Sequence, residues 1–154
     1  MAKSRIKAVK KYNEYKKKYG LPSLKELEEE FDFELNETSG IISQVLNRIW
    51  DRILKVKSDL EGIFHPQQYC CLIEHKFFTG KEKKELFNTY KKIMTRYWIT
   101  IKADYISKEE RIKQISKNYE FYKKLKPIVR KYLTRHIKKW SEKGKEELRE
   151  GYIS

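Results

Sequence analysis

Four potential metal ligands, His65, Cys70, Cys71 and His75, lie within one short stretch in the middle of the chain. Zinc accepts both thiolate and imidazole, and Cys71 and His75 share a face if residues 69–78 are helical. Structural zinc sites usually contain Cys-x-x-Cys or His-x-x-x-His pairs, however, and adjacent cysteines seldom bind the same ion. We therefore expect no metal site, and two reduced, buried cysteines that act as small hydrophobic side chains.

The sequence also lacks the motifs of nucleotide and di-iron chemistry. Its six glycines, at positions 20, 40, 62, 80, 144 and 151, never take the spacing of a phosphate-cradling loop. A carboxylate-bridged di-iron bundle needs two Glu-x-x-His pairs, and the chain has none. We accordingly expect no cofactor.

Residues 123–139 contain eight cations and no acid. On a helix, those from Lys131 to Lys139 fall within about 100° of arc, opposite an apolar arc. Such a stripe attracts a polyanion by neutralising phosphates and releasing their counterions. The alternative is a solvated helix face in a lysine-rich protein. The eight candidate binding residues are Lys123, Lys124, Lys126, Arg130, Lys131, Arg135, Lys138 and Lys139.

Four aromatic residues accompany these cations: Tyr119, Phe121, Tyr122 and Tyr132. Any of them that faces outward could stack on exposed bases. Aromatic residues at helical spacing usually face inward, so we expect the three tyrosines in the core.

A second basic cluster lies at the N-terminus, where residues 1–20 carry eight cations and one acid. We include Lys10, Lys11 and Lys17 among the candidate nucleic-acid-binding residues, on a helix or arm that orders on its target. The following segment, residues 21–40, is acidic. Its carboxylates could pair with either cluster within the fold, which would weaken the case for both.

Arg130 and His136, with five residues between them, resemble the Arg-x4-6-His signature of the HEPN ribonucleases. The resemblance implies an all-α fold and RNA cleavage by these two residues in a composite site at a dimer interface. It covers two residues, and Lys131 stands where that family commonly has a polar residue. Six positions also place His136 about 120° from Arg130 on a helix. We therefore expect a non-enzymatic protein, with His136 semi-buried.

Apolar residues recur at spacings of three and four almost throughout, which predicts an all-α domain. We expect an antiparallel bundle of about four long amphipathic helices plus two shorter N-terminal helices. Residues 1–20 form the basic N-terminal helix or arm, and residues 21–154 form the bundle, in a single domain overall. Capping boxes at Ser23, Thr79 and Ser107 mark three helix starts.

Several local features of these helices are also predicted. Residues 67–78 read as a short helix or an extended segment. Pro127 should break or kink its helix, with a last helix running from about residue 128 to Lys143. Phe87 and Trp98 should face inward on the helix that follows Thr79. Leu133, Ile137 and Trp140 should lie with His136 on the buried arc of the last helix.

The overall charge is strongly positive, with 36 Lys and Arg against 22 Asp and Glu and a net charge of +14. No apolar run approaches the roughly 20 residues needed to cross a bilayer. We expect a cytoplasmic protein with no membrane partner, and the Lys- and Glu-rich composition is compatible with a thermophilic source.

These observations predict a nucleic-acid-binding protein, with RNA or a ribonucleoprotein favoured over DNA. Lysine dominance favours contacts to backbone phosphates, because the planar fork of arginine is the better match for a base edge. The alternative is a helical interaction or assembly subunit that binds an acidic protein surface. The sequence leaves the oligomeric state open.

Overall fold

The structure of the chain, a computed structural model, describes residues 2–36 and 40–147. These ranges contain six helices and no strand, which confirms the all-α fold class. The helices are α1 (Ala2–Tyr19), α2 (Leu24–Phe31), α3 (Ile41–Phe64), α4 (Tyr69–His75), α5 (Gly80–Asp104) and α6 (Lys108–Glu147).

Helix α3 lies at the centre of the bundle, because it contacts α2, α4, α5 and α6. Its apolar stripe is buried along the whole helix, and the side chains of Ile49 and Ile53 are fully inaccessible. Helices α1 and α2 extend the same core through Tyr12 and Leu27, which are also fully buried. The long stripe predicted from the sequence therefore organises the fold.

The helix ends follow local capping rules. Gly20 takes a φ of 65° just after α1, a left-handed conformation in which glycine has no Cβ penalty. Thr79 and Glu82 form the complete capping box that starts α5, as predicted. At α2, Ser23 accepts a hydrogen bond from the Glu26 backbone N–H, whereas the Glu26 carboxylate accepts one from Tyr119.

The predicted break at Pro127 is wrong, because α6 is one helix of 40 residues that contains this proline. Proline removes one backbone hydrogen bond from the helix. Pro127 is exposed, so water can reach the carbonyl that has no helical partner. Leu125 and Tyr132, both buried, hold the helix against the core on either side.

The inward orientation predicted for Trp98 and Phe87 is also wrong, since their side chains are 60% and 46% exposed. Helix α5 is apolar on two arcs, and the arc of Leu86 and Ile93 is the one that faces the core. Periodicity detects both arcs equally well. Which arc is covered depends on where α3 and α6 pack.

The outer part of α6 is covered on one side only. His136 is half-buried, as predicted, and packs against Phe77 and Phe78 of the segment after α4. Leu133 and Ile137 are 44% and 71% exposed, which corrects the predicted buried arc. Residues 67–78, predicted as a short helix or an extended segment, contain the short helix α4. Phe77 and Phe78 follow this helix and cover this side of α6.

Candidate nucleic-acid interface

Two of the eight cations in residues 123–139 are tied to other helices. Lys126 pairs with Glu30 of α2 at 2.7 Å. Arg135 pairs with Glu82 of α5 at 2.9 Å, and its Nε donates to the Phe77 carbonyl. These two side chains therefore join helices together, and they have fewer donors left for a ligand than the sequence suggested.

Three more cations pair with acids on α6 itself. Lys123 pairs with Glu120, and Lys138 and Lys139 both approach Glu142 at 4.0 and 3.7 Å. Exposed pairs of this kind contribute little to stability, typically below about 1 kcal/mol. A phosphate can therefore replace the carboxylate at small cost.

The remaining three cations, Lys124, Arg130 and Lys131, are exposed and form no ion pair within the described residues. Lys124 and Lys131 belong to a row of exposed lysines spaced seven residues apart on α6, which we call the lysine row. Seven residues are almost two full turns, so the row advances about 10.5 Å per lysine along one side of the helix. Its members are Lys117, Lys124, Lys131 and Lys138.

Helix α5 adds cations that the sequence reasoning missed. An open groove of about 610 Å³ runs between α5 and Phe121 of α6. Its lining contains three cations and no acid, and we call it the basic groove. Lys117 and Lys124 lie one turn on either side of Phe121, so the lysine row borders the basic groove. The lining residues are Asn88, Lys91, Lys92, Thr95, Arg96, Ile99 and Phe121.

Arg96 is the most unusual of these cations, because neutral side chains hold it. Its Nε donates to Asn118 Oδ1 at 2.7 Å, and a second guanidinium nitrogen donates to the Gln114 side-chain carbonyl. Asn118 is fully buried and also exchanges hydrogen bonds with Thr100. The amides therefore fix the arginine in place.

No carboxylate neutralises Arg96 within the described residues, and burial lowers the pKa of its guanidinium. The group stays charged even so, because arginine is not deprotonated in proteins. Two of its five donors are used by the amides, and the others are left for a ligand at the groove. A fixed, partly desolvated cation of this kind is suited to bind an anion.

The cations of α5 could be recognised in the sequence as an acid-free run. Residues 86–103 contain four cations and no acid, namely Lys91, Lys92, Arg96 and Lys102. The run is less dense than that of residues 123–139 and gave no prediction by itself. Contacts of Glu82 with Arg135 and of Arg96 with Asn118 set an antiparallel register in which the two acid-free runs overlap only in part. Lys131 and Arg135 lie in a second groove that Glu82 and Glu85 also line.

The N-terminal candidates Lys10, Lys11 and Lys17 are exposed on α1. Side-chain contacts join α1 to the first part of α6, where Ser116 donates to the Gly20 carbonyl and Lys108 lies over the Tyr15 ring. The acidic helix α2 pairs with both basic clusters, through Arg5–Glu28 at 3.1 Å and Lys126–Glu30. No contact within the described residues joins the three N-terminal candidates to residues 123–139.

The pair that resembles the HEPN signature is not assembled within this chain. His136 places Nδ1 3.1 Å from the Tyr132 carbonyl and Nε2 3.7 Å from the Glu74 carboxylate. It lines a cavity of about 830 Å³ that Arg130 does not line. Arg130 is exposed on another side of the helix, as the 120° separation predicts.

The candidate metal ligands are engaged with other groups. His75 has Nδ1 2.6 Å from the Ile63 carbonyl and Nε2 3.0 Å from the Lys83 amine. Cys70 is exposed, so the prediction of two buried cysteines is wrong for this residue. The Cys70 and Cys71 sulfurs lie 3.9 Å apart, and burial followed by the neighbouring Cys70 raises the pKa of the Cys71 thiol. Among the residues that the structure describes, no group of three His, Cys, Asp or Glu side chains could hold a metal ion.

The fold and this site together define an all-α helical bundle with a basic groove between α5 and α6. Comparison with protein-family models, curated proteins and solved structures finds no match to the chain. Within the described ranges, none of the helices has the length and hydropathy that a membrane span requires.

Proposed function

We propose that this protein is a non-enzymatic nucleic-acid-binding protein whose interface is the basic groove and the adjoining lysine row. RNA or a ribonucleoprotein is the favoured target over duplex DNA. The observation that carries the proposal is Arg96, a fixed and partly desolvated cation without a carboxylate, in a groove that has three cations and no acid.

The shape of the groove adds to the effect of its charge. A cleft lined by charge of one sign and bounded by low-dielectric walls focuses the potential and raises the local concentration of an oppositely charged ligand. Phosphate oxygens are the acceptors that lysine and arginine donors match in such a cleft. The groove therefore offers a track for a sugar–phosphate backbone.

Lysine predominance in the lysine row predicts contacts that position the target without reading its sequence. Lysine is a compact point charge on a flexible stem, and phosphate contacts carry no direct sequence information. We therefore expect similar affinities for different sequences and a steep dependence of affinity on salt.

The test is to measure binding of a fluorescent single-stranded RNA as a function of salt for wild type and for Lys124→Glu/Lys131→Glu. Removal of one phosphate interaction should reduce the slope of log affinity against log salt by roughly 0.7 for a single strand. Lys55→Glu/Lys76→Glu makes the same change in net charge at exposed lysines outside the groove and should keep the wild-type slope. An unchanged slope in the first variant contradicts the proposal.

An acidic protein surface would be attracted by the same cations, and a second measurement distinguishes the two partners. Bound nucleic acid raises the absorbance of the purified protein at 260 nm, and the excess disappears after nuclease digestion. A sample without such an excess, which also binds neither RNA nor DNA at low salt, would favour the acidic protein partner.

Two substitutions test whether the protein lacks ribonuclease activity. Arg130→Ala and His136→Ala should leave RNA as intact as the wild-type protein does. Cleavage by the wild type that both substitutions abolish would instead support a ribonuclease assembled from two copies of the chain.

A further inference from the structure

One face of α5, continued by its C-cap residue Tyr105, carries cations interspersed with large apolar side chains. Its members follow one another at steps of three or four residues, so they share an arc of about 80° on the helix. We call this face the ring stripe. In order along the chain it consists of Lys84, Phe87, Lys91, Met94, Trp98, Lys102 and Tyr105.

Two aromatic rings of the stripe are largely open to solvent, whereas the Phe87 ring is stacked on Tyr90 and packs edge-on against Phe64. Trp98 is 60% exposed, Tyr105 87% and Phe87 46%. A monomeric bundle gains nothing by exposing a row of large rings, and the opposite face of α5 already supplies its share of the core through Ile93 and Thr100. The exposed row therefore indicates a binding surface.

The ring stripe and the basic groove are parts of one continuous surface. Lys91 belongs to both, because it lines the groove and also lies over the Phe87 ring with Nζ 5.6 Å from the ring centroid. A nucleic-acid backbone held in the groove thus has the rings of α5 beside it. The surface offers cations for the phosphates and flat apolar groups for the bases.

We infer that the ring stripe stacks unpaired bases, and that the target of this protein is therefore single-stranded. The inference rests on the proposed function and names its substrate class. Aromatic side chains bind bases by stacking, which requires base faces that a duplex keeps hidden. Three of the four apolar positions of the stripe are aromatic, as stacking requires.

The charges of the stripe argue against a second copy of the chain as its occupant. All three of its charged residues are lysines, Lys84, Lys91 and Lys102. A contact between two copies of this face would bring like charges together, which is unfavourable. A polyanion has the complementary charge.

Tryptophan fluorescence tests the inference directly. A single-stranded oligouridine should quench the emission of the wild-type protein, and a duplex of equal length should quench it much less. Trp98→Phe should lose most of the quenching while it keeps most of the affinity, because phenylalanine still stacks. Trp50 is buried and Trp140 lies on α6, so neither belongs to the stripe.

Affinity measurements supply the second readout. Trp98→Ala should weaken binding of oligouridine on the order of 10- to 100-fold and leave duplex binding unchanged. Tyr105→Ala, at a second exposed ring, should act in the same direction. Tyr69→Ala removes an equally exposed aromatic ring from α4, outside the stripe, and should leave both affinities unchanged. Circular dichroism verifies that each variant is folded.

The outcomes separate this inference from the proposed function. If wild type binds neither single strands nor duplexes, the proposed function fails. If it binds both and Trp98→Ala and Tyr105→Ala alter neither affinity, or reduce both equally, only the stacking inference fails. Quenching by a glutamate-rich amphipathic peptide and not by oligouridine would also overturn the inference and identify a protein partner for the stripe.

Discussion

Helix α1 and the basic part of α6 carry the same number of cations, but the surroundings of those cations differ. Residues 1–20 and residues 123–139 each carry eight cations. Lys124 of the second group lies one turn from Phe121, which lines the basic groove together with Lys91, Lys92 and Arg96 of α5. The candidates of α1 stand on the outside of a single helix that packs against acidic α2.

A high density of charge is therefore not the same property as a binding site. Cations on a convex helix are surrounded by water and salt, which screen them within about 10 Å. The three cations that line the basic groove lie together on its α5 wall and the lysine row borders it, so their potentials add in the space between the helices. We therefore assign α1 mainly to the fold and the groove mainly to the ligand, and each of the following predictions can contradict that assignment.

The largest effect is expected from removing the anchor of α1. Tyr12 is fully buried, and its hydroxyl donates to the Pro22 carbonyl at 2.9 Å. Tyr12→Ala should reduce the free energy of unfolding by about 3–5 kcal/mol, measured by urea denaturation. Tyr12→Phe keeps the ring and should lose about 0.5–1.5 kcal/mol. A Tyr12→Phe protein that is fully folded yet has a reduced salt slope would show that α1 takes part in binding.

A matched pair of charge reversals compares the two regions directly. Lys91→Glu/Lys92→Glu/Lys124→Glu should lower the slope of log affinity against log salt by roughly 2 for single-stranded RNA, because each neutralised phosphate contributes about 0.7. Lys10→Glu/Lys11→Glu/Lys17→Glu makes the same change in net charge on α1 and should leave most of the slope. Equal reductions in the two triple variants would mean that overall charge, and not the groove, determines binding.

Asn118→Ala tests the support of Arg96. Arg96 Nε and the Thr100 hydroxyl both lose their hydrogen bond to the buried Asn118 amide. This loss should lower the free energy of unfolding by about 1–3 kcal/mol. Affinity for RNA should fall severalfold, because the guanidinium is no longer fixed. Asn13→Ala, on the exposed face of α1, should change neither quantity. An Asn118→Ala protein with normal affinity would exclude Arg96 as an anchored phosphate ligand.

The smallest effect is expected at Glu82, which ties Arg135 to α5. A hydrogen bond from the Thr79 backbone, followed by the Thr79 hydroxyl and the charge of Arg135, lowers the pKa of Glu82. The stabilisation it provides is complete above the unfolded-state pKa of about 4.3 and disappears as pH falls through the lower folded-state value.

Glu82→Gln should therefore narrow the difference in unfolding free energy between pH 7 and pH 3, measured by urea denaturation at both values. It also frees Arg135 and should raise RNA affinity slightly. A fall in affinity would show that Glu82 positions Arg135 for binding.

Much of the fold could be predicted from local rules. The helical periodicity, the stripe of α3 and the capping box of Thr79 each depend on residues within a few turns of one another. Burial of Tyr119 and Tyr132 followed from their spacing and is confirmed. The predicted break at Pro127 is wrong because contacts at Leu125 and Tyr132, which are tertiary, stabilise the helix on both sides of the proline.

Only part of the candidate site could be predicted. The cations of α6 are dense enough to stand out in the sequence, whereas those of α5 form a groove with Phe121 only through the packing of the two helices. Trp98 illustrates the same difficulty on another face. Its spacing fits either arc of α5, and the packing of α3 and α6 against the opposite arc leaves it exposed.

Composition and neighbours along the chain were enough to predict the fold class, the starts of α2, α5 and α6, and the amount and sign of the charge. The pairing of Lys126 and Arg135 with other helices, the open arc of α5 and the fixing of Arg96 by buried Asn118 all depend on helix packing. The physical reason is that ion pairing, exposure and desolvation depend on distances between helices. Residues 96 and 118 are far apart in sequence, and helix packing brings them within 2.7 Å.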